Sequence, residues 1–287
     1  MSSDSYRFKV GSFECLAVCD GFFKYASPMF PPPAQFLFSD APSERLDEKL
    51  RGLDIKGENW AEWTSPYICG MISTGKHRVL VDTGAGGLGP GTGRLLQNLR
   101  AKGIGPGDID TIVLTHGHAD HLGGNITAEG KSAFPDARFI MWKDEWDYWT
   151  SQESKSRAAP HLRPLFAFAD KLLPPIKHQL ELIDHETEIL PGIQVIAAPG
   201  HTPGHIAVLV SSEDGRLIIA SDAFLHPLHV EQPDWHAAID FAPEQVSATR
   251  RRLLNLAAAQ KTIMLAFHFP FPGLGTVVQN GERWQPL

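Results

Sequence analysis

The sequence predicts an α/β fold in one domain. Two observations carry this. Short apolar runs that end in Gly, Asp or His alternate with helical stretches, the pattern of strands crossing over through helices. No linker-like shift in composition divides the 287 residues, so residues 1–287 read as one unit. A chain of this length with 43% hydrophobic and 21% charged residues buries a sizeable core and is not disordered.

The elements follow in order. Phe8 to Phe23 reads as a strand and a turn at Asp20-Gly21. Ser27 to Pro33 carries four prolines, which removes amide donors and predicts a loop. Leu46, Leu50 and Leu53 follow at helical spacing. Strands are expected at 77–81, 111–114, 139–141, 193–198, 217–220 and 262–266, and helices at 93–102, 162–173 and 243–260. In the last helix Pro243 suits the first turn, and Glu244 suits the positive end of the dipole. Arg250, Arg251 and Arg252 read most simply as its solvated face.

Charge and cysteine usage exclude several classes. Lys and Arg number 26 against 33 Asp and Glu, a net charge of -7. That balance argues against nucleic acid as a partner, because phosphate binding needs a basic surface. Cys15, Cys19 and Cys69 form no C-x-x-C, so neither a disulfide framework nor a thiolate zinc site is indicated, and buried free thiols are expected. With no secretory signal and no apolar stretch long enough to span a bilayer, the expectation is a cytoplasmic protein that binds no membrane.

Histidine is the unusual residue. There are thirteen, and three fall in Thr115-His116-Gly117-His118-Ala119-Asp120-His121-Leu122-Gly123-Gly124. Imidazole and carboxylate are the donor set for zinc, iron or manganese. Placed just after a strand, the turn can aim His116 and His118 at one point, and Asp120 and His121 at a neighbouring one. Pro199-Gly200-His201, Ser221-Asp222 and Phe267-His268-Phe269 put further donors at the C-terminal ends of predicted strands. That edge of an α/β layer is where sites are built. Asp82 also ends a strand and reads as a supporting or turn-fixing carboxylate. His205 reads as a supporting or a surface residue. His161, His178, His185, His229 and His236 carry no spacing signal.

Five histidines and two aspartates exceed the needs of one tetrahedral ion and suit two divalent ions that share an Asp. Zinc comes first among the metals, with iron, manganese or cobalt as alternatives. Such a pair presents hydroxide at neutral pH and polarises a carbonyl or phosphoryl oxygen. No Ser or Cys nucleophile is needed, and no G-x-S-x-G occurs.

These motifs resemble the metallo-β-lactamase superfamily from about Tyr67 onward. The resemblance implies a four-layer αββα sandwich with a dinuclear site at one edge. It implies that His116, His118 and His201 hold one ion and that Asp120, His121 and His268 hold the other. Asp222 would bridge them, and Asp120 and Asp222 would be the catalytic carboxylates. It also implies a homodimer. Val81 to Gly86, the stretch Gly93 to Leu99 and the ending His268 to Gly275 resemble the methyl parathion hydrolase branch and its lactonase relatives. Leu225 stands where quorum-quenching lactonases often carry Tyr, which points away from acyl-homoserine lactones.

The resulting expectation is a dinuclear hydrolase that uses bridging hydroxide on a small-molecule ester, lactone or phosphotriester. A mononuclear iron redox enzyme of persulfide dioxygenase type and a non-catalytic zinc-binding protein are the alternatives. Phe224, His226, Trp235 and Phe267 are the expected pocket residues. The Pro-rich segment, about 27–42 and including Phe30, is the expected lid.

Overall fold

The computed structural model describes residues 4–53, 55, 57, 60–160, 162–260, 262–278 and 283–287. His161 lies outside them. Two seven-stranded sheets form the centre. The first runs in chain order from β1 (Ser5–Val10) through β2 (Phe13–Ala26), β3 (Glu62–Ser73), β4 (Arg78–Val81), β5 (Thr111–Val113) and β6 (Arg138–Trp142) to β7 (Leu180–Ile183). The second contains β8 (Thr187–Leu190), β9 (Ile193–Ala197), β10 (Ile206–Ser212), β11 (Gly215–Ile219), β12 (Ile263–Leu265), β13 (Leu274–Val277) and β14 (Trp284–Pro286), again side by side in chain order. Strands β4 to β7 pair in parallel, as do β11 and β12, and helices fill those crossovers.

Strand alternation explains the layering. Val79 and Val81 face one side of β4 while Leu80 faces the other. The first pair joins Ile68, Ile72, Val113 and Ile140 against Val195, Val208, Leu217 and Ile219 of the second sheet. Leu80 joins Ile112, Phe139 and Met141 against α3 (Leu95–Arg100) and α7 (Arg163–Leu172). On the far side of the second sheet, Ile196, Ile218 and Met264 meet Leu253, Leu254 and Ala257 of α9 (Pro243–Gln260). The result is the expected αββα sandwich. Because both faces of the sheets are covered, the strands read as unbroken apolar runs.

Several local expectations are corrected. Asp20-Gly21 is no turn: β2 continues through it with a register shift between Cys19 and Gly21. There the buried Asp20 carboxylate accepts the amides of Ala85, Gly93 and Leu95, gathering the loop that leads into α3. The turn falls earlier, between β1 and β2. The helix predicted from Leu46 and Leu50 is α2 (Ser43–Arg51), but Leu53 lies beyond it and is exposed. Arg250 is fully buried, whereas Arg251 and Arg252 pair at the surface with Asp234 and Glu186. It shares the inward face of α9 with Val246, Leu253, Leu254 and Ala257. Among the described residues no helix is long and apolar enough to cross a membrane.

All three cysteines are free and buried. Burial pushes the thiol of Cys15 up to about 12 and that of Cys19 up to about 11, and it holds that of Cys69 well above the usual thiol value. The reactive thiolate is therefore scarce at pH 8. Native protein treated with iodoacetamide at that pH should stay unmodified by mass spectrometry and take up three carbamidomethyl groups once unfolded. Modification of any cysteine in the native state would contradict this packing.

Candidate metal centre

The seven predicted donors converge. Ligand atoms of His116, His118, His201 and Asp222 lie within 4.8 Å of one another, and so do those of Asp120, His121 and His268. The loops carrying them leave β5, β9, β11 and β12 at the same edge of the sandwich. Two backbone bonds tie the sheets together there, from Ile206 N–H to the Thr115 carbonyl and from Ile68 N–H to the Phe267 carbonyl, at 3.0 and 3.1 Å.

The local sequence explains how the first motif turns so sharply. After β5 the chain forms α4 (Ala119–Leu122), and Gly123 and Gly124 follow. A Cβ on Gly123 would stand 2.0 Å from the Ala85 carbonyl oxygen, and one on Gly124 would stand 2.1 Å from that of Thr83. The two glycines let the motif lie flat on the Asp82-Thr83-Gly84 loop. The Thr83 hydroxyl then donates to the His121 carbonyl at 2.9 Å.

Inward and outward nitrogens are sorted. The Nδ1 atoms of His121 and His201 each meet a carboxylate at 2.8 Å, from Asp82 and Asp240 respectively. Those of His268 and His116 meet the hydroxyls of Ser65 at 2.9 Å and Thr115 at 3.1 Å. Every outer contact leaves Nε2 facing the centre. For His118 the inward atom is Nδ1, 3.0 Å from His116 Nε2 and 3.1 Å from His201 Nε2. Asp222 stands between the groups. Its Oδ2 is 3.2 Å from His268 Nε2 and 3.4 Å from His201 Nε2, and its Oδ1 is 3.3 Å from His121 Nε2.

This arrangement fits a pair of cations. His121 Nε2 and Asp222 Oδ1 are buried, and neither has a hydrogen-bond partner in the protein. With Nδ1–H donated to Asp82, His121 turns a lone pair toward a carboxylate oxygen, a contact that calls for positive charge between them. Burial holds the imidazoles of His116 and His118 well below their usual range, in the neutral form that a metal needs. Burial also opposes charge on His121 and His201, but Asp222 together with Asp82 or Asp240 outweighs it. His121 is raised well above the imidazole range and His201 to about 9. Burial likewise works against ionisation of Asp222, yet His268 and His121 hold its carboxyl well below the usual range.

Three further residues were not legible as part of the site. Glu145, buried on α5 (Lys143–Thr150), accepts the amides of Gly117 and Gly204 and the Trp149 indole, joining two donor loops. The signal available was an acidic residue four before a Trp on one helix face. Asp240 has no motif around it. The third, Arg250, was hidden in a run of three arginines. His205, by contrast, is one of the two options anticipated for it: it is buried, donates Nδ1–H to the Ala198 carbonyl and accepts the Asp222 amide on Nε2. Burial pushes it down to about 3, so this neutral tautomer is fixed. His229 and His236 also prove structural, bonded to the Leu37 carbonyl and to Asp40 and Ser247.

The expected pocket residues lie elsewhere. A cavity of about 330 Å³ opens over Asp120, Asp222, His118, His201 and His268. Its walls are Phe23, Tyr25, Phe30, Phe36, Trp63, Tyr67, Leu165, Phe168, Leu225 and Ile239, with Met29 at the rim. None of its described lining residues is Lys or Arg. Phe224 is instead buried against the inner face of α9. His226 and Trp235 pack against Phe38, and Phe267 stacks on the His121 ring at 3.9 Å, behind the centre. The physical reason is the turn at Asp222: the chain that leaves it presents Leu225 to the cavity and sends Phe224 into the helix layer. Phe30 does line the cavity, but the segment beyond it is anchored. Phe36, Leu37 and Phe38 are buried, and Ser39, Asp40 and the Phe36 carbonyl bond to the loop 236–238.

Residues 67–268 match the family model described as Metallo-beta-lactamase superfamily. The chain belongs to that superfamily. It is 26% identical over 164 residues to an N-acyl homoserine lactonase of Bacillus thuringiensis, 56% of each protein, and 27% identical over 176 residues to the probable metallo-hydrolase YflN of Bacillus subtilis (strain 168), 56% of this chain and 64% of that one. The chain thus spans about half the length of the curated lactonases that it matches. Its fold superposes on AidC, a dizinc quorum-quenching lactonase solved with its product, and on the hydrolase AbOPH. Both give a TM-score of 0.88 at 24% identity; all of this chain is covered, with 99% and 98% of theirs. The likeness to these structures is one of fold.

Gly123→Ala should destabilise the protein by about 1–3 kcal/mol in urea unfolding, because backbone must move to admit the methyl. Gly87→Ala, where a Cβ meets open space at an ordinary φ, should stay within about 0.5 kcal/mol of the parent. Equal midpoints for the two variants would overturn the close-approach account.

Proposed function

We propose that this protein is a dinuclear metal-dependent hydrolase that cleaves a neutral, apolar small molecule, an ester, lactone or phosphotriester. One observation carries the reading: two donor groups, with Asp222 of the first reaching to 3.2 Å from His268 and 3.3 Å from His121 of the second, lie beneath an aromatic cavity with no Lys or Arg among its described lining residues. His116, His118 and His201 would hold one ion, Asp120, His121 and His268 the other, and Asp222 would serve both. Zinc is the first candidate, supported by the dizinc neighbour. When bound, such a pair lowers the pKa of water and polarises the oxygen of the scissile group.

The chain's own residues then do the rest. The aromatic walls bind the apolar part of the substrate and exclude water, and the absence of Lys and Arg selects against anionic substrates. Asp120 keeps a fifth of its side chain exposed to the cavity, which places a carboxylate where a proton must be taken up and passed to the leaving group. Leu225 offers no hydrogen-bond donor. Tyr25 and Tyr67 lie on the opposite wall with hydroxyls 2.9 Å apart. Burial, and then the charge on Asp120, holds the Tyr25 phenol well above its usual range, and Tyr67 is held high by burial and by Tyr25. Both therefore remain protonated donors, and a proton of the pair is available to the substrate oxygen or to Asp120. Of the expected lid, the Pro28 to Pro32 stretch carries Phe30 into the cavity against Tyr25 and Phe36 and leaves Met29 exposed at its rim.

The resemblance to N-acyl homoserine lactonases puts lactones first in the assay, and Leu225 favours substrates with less polar demands than an acyl-homoserine lactone. The second donor group of Asp120, His121 and His268, with Asp222 Oδ1 3.3 Å from His121 Nε2, speaks against a mononuclear iron enzyme.

The deciding experiment is a panel of lactones, aryl esters and phosphotriesters on zinc-loaded protein, with metal analysis alongside. About two ions per chain and turnover of a neutral apolar member are expected. One ion or fewer after careful loading sinks the dinuclear reading. Asp222→Asn should abolish turnover and weaken both ions by more than the 10–100-fold typical of outer residues. Activity near that of the parent would remove Asp222 from the role given to it.

Loading should also release protons. His121 and His201 are held above their usual range by carboxylates, so protons compete with the ions below about pH 9, and zinc affinity should rise as pH increases from 6 toward 9. Titration calorimetry in two buffers of different ionisation enthalpy reads the proton count. Zero protons released at pH 7 would contradict this electrostatic picture.

A further inference from the structure

Behind the first donor group lies a buried guanidinium that the proposed reaction does not use. Arg250, on the inward face of α9, has no exposed side-chain surface. Its Nε donates to the Ala223 carbonyl at 2.6 Å, one residue after Asp222. Its Nη1 donates to the carbonyls of Trp235 at 2.5 Å and Pro233 at 3.3 Å. Its Nη2, which has no hydrogen-bond partner among the described residues, stands 3.5 Å from Asp240 Oδ2 as an ion contact, and that oxygen also accepts the Ala237 amide at 2.9 Å. The other oxygen of Asp240 accepts His201 Nδ1–H at 2.8 Å. One planar group therefore touches the turn that carries Asp222 and the carboxylate that aims His201. A fork geometry suits this task, and a lysine, with a single point charge, cannot reproduce it.

The two donor groups are thereby made unequal. Asp240, which orients His201, faces a fixed cation. Asp82, which orients His121, accepts only from neutral donors besides the imidazole: the Thr115 amide and hydroxyl at 2.8 Å and the Ser221 hydroxyl at 3.3 Å. Burial pulls Arg250 down to about 10, which leaves it cationic at neutral pH.

We propose that Arg250 is a positioning residue for the first ion position: it braces Asp240, and through it His201. This inference rests on the dinuclear reading above. Outer residues that orient a metal-bound histidine are worth about 10–100-fold in metal affinity. Loss of the fork should therefore loosen the ion at His116, His118 and His201 by that factor and change the other position by less than about threefold.

The test is zinc release from the loaded protein to a chromogenic chelator, followed as stopped-flow phases and amplitudes, together with the visible spectrum of the cobalt-substituted protein. Arg250→Lys keeps the charge and removes the fork. Asp240→Asn marks the first position, and Ser65→Ala, which removes the hydroxyl on His268 Nδ1, marks the second. Arg250→Lys should speed one of two equal release phases, the one that Asp240→Asn also speeds, and leave the phase sensitive to Ser65→Ala in place. Parental release kinetics, acceleration of both phases alike, or acceleration of the phase sensitive to Ser65→Ala would overturn the proposal. If Arg250→Lys does not fold, Asp240→Asn decides: an unchanged release profile refutes the Arg250–Asp240–His201 path, and a selective one upholds it. A parent protein that binds fewer than two zinc ions fails the dinuclear reading, an outcome distinct from two ions released at parental rates.

Discussion

The Asp82 carboxylate is the contact on which the rest of the site depends. It is fully buried and ends β4 of the first sheet. It accepts the amide and hydroxyl of Thr115 at the end of β5, the imidazole N–H of His121, and the hydroxyl of Ser221 beyond β11 in the second sheet. A buried carboxylate is costly unless its lone pairs are filled, so these four groups are drawn to one point. They bring with them the loops that hold His116, His121 and Asp222. Asp82 and Ser221 accept unusual backbone angles to do so, with φ of 62° and 45°. Backbone conformations of that kind cost energy and persist where surrounding contacts over-determine them.

The same device recurs around the centre. Asp20 gathers the loop before α3, Glu145 joins the His118 and His201 loops, and Asp240 aims His201 while facing Arg250. Each is a buried carboxylate satisfied mainly by backbone amides or fixed side chains. Asp82 and Asp240 set negative charge against the clustered histidines, while Asp20 and Glu145, whose carboxyl pKa values burial raises, hold the surrounding loops in place. Such a frame favours cations, and it holds the inner nitrogens in place before any ion arrives, which is what preorganisation of a metal site requires.

Above this polar floor the protein changes character within one side chain. Asp120 and Asp222 lie below, while Tyr25, Phe30, Phe36, Trp63 and Phe168 form the walls. Aromatic rings there stack on one another, Tyr25 on Trp63 at 4.7 Å and on Phe36 at 5.4 Å, so the pocket shape is largely set before a substrate enters. A charged floor beneath dry walls strengthens every electrostatic interaction with a bound molecule.

The sequence by itself determined the α/β class, most of the strands with their sheet-edge ends, and the seven His and Asp residues that the fold gathers into two neighbouring clusters. Those signals are local: apolar runs with fixed punctuation, and a six-residue block of His and Asp that a turn can aim at one place. The tertiary structure alone decided which side chains surround the donors. Phe224, His226 and Phe267 stand within four residues of Asp222 or His268 in the sequence, yet they and Trp235 pack away from the cavity, against α9, Phe38 and the His121 ring. Most of the actual wall residues come from β2, β3, α7 and the segment around Phe30 and Phe36, far away in the chain, with Leu225 the neighbour of Asp222 that does reach the cavity. Arg250 and Asp240 show the same limit. An arginine in a run of three looks solvated, and only its position on the inner face of α9, opposite Ala223 and Asp240, turns it into a buried fork. The clustered His and Asp residues announce themselves through local motifs at strand ends, whereas burial and supporting contacts depend on distances that exist only once both sheets have closed.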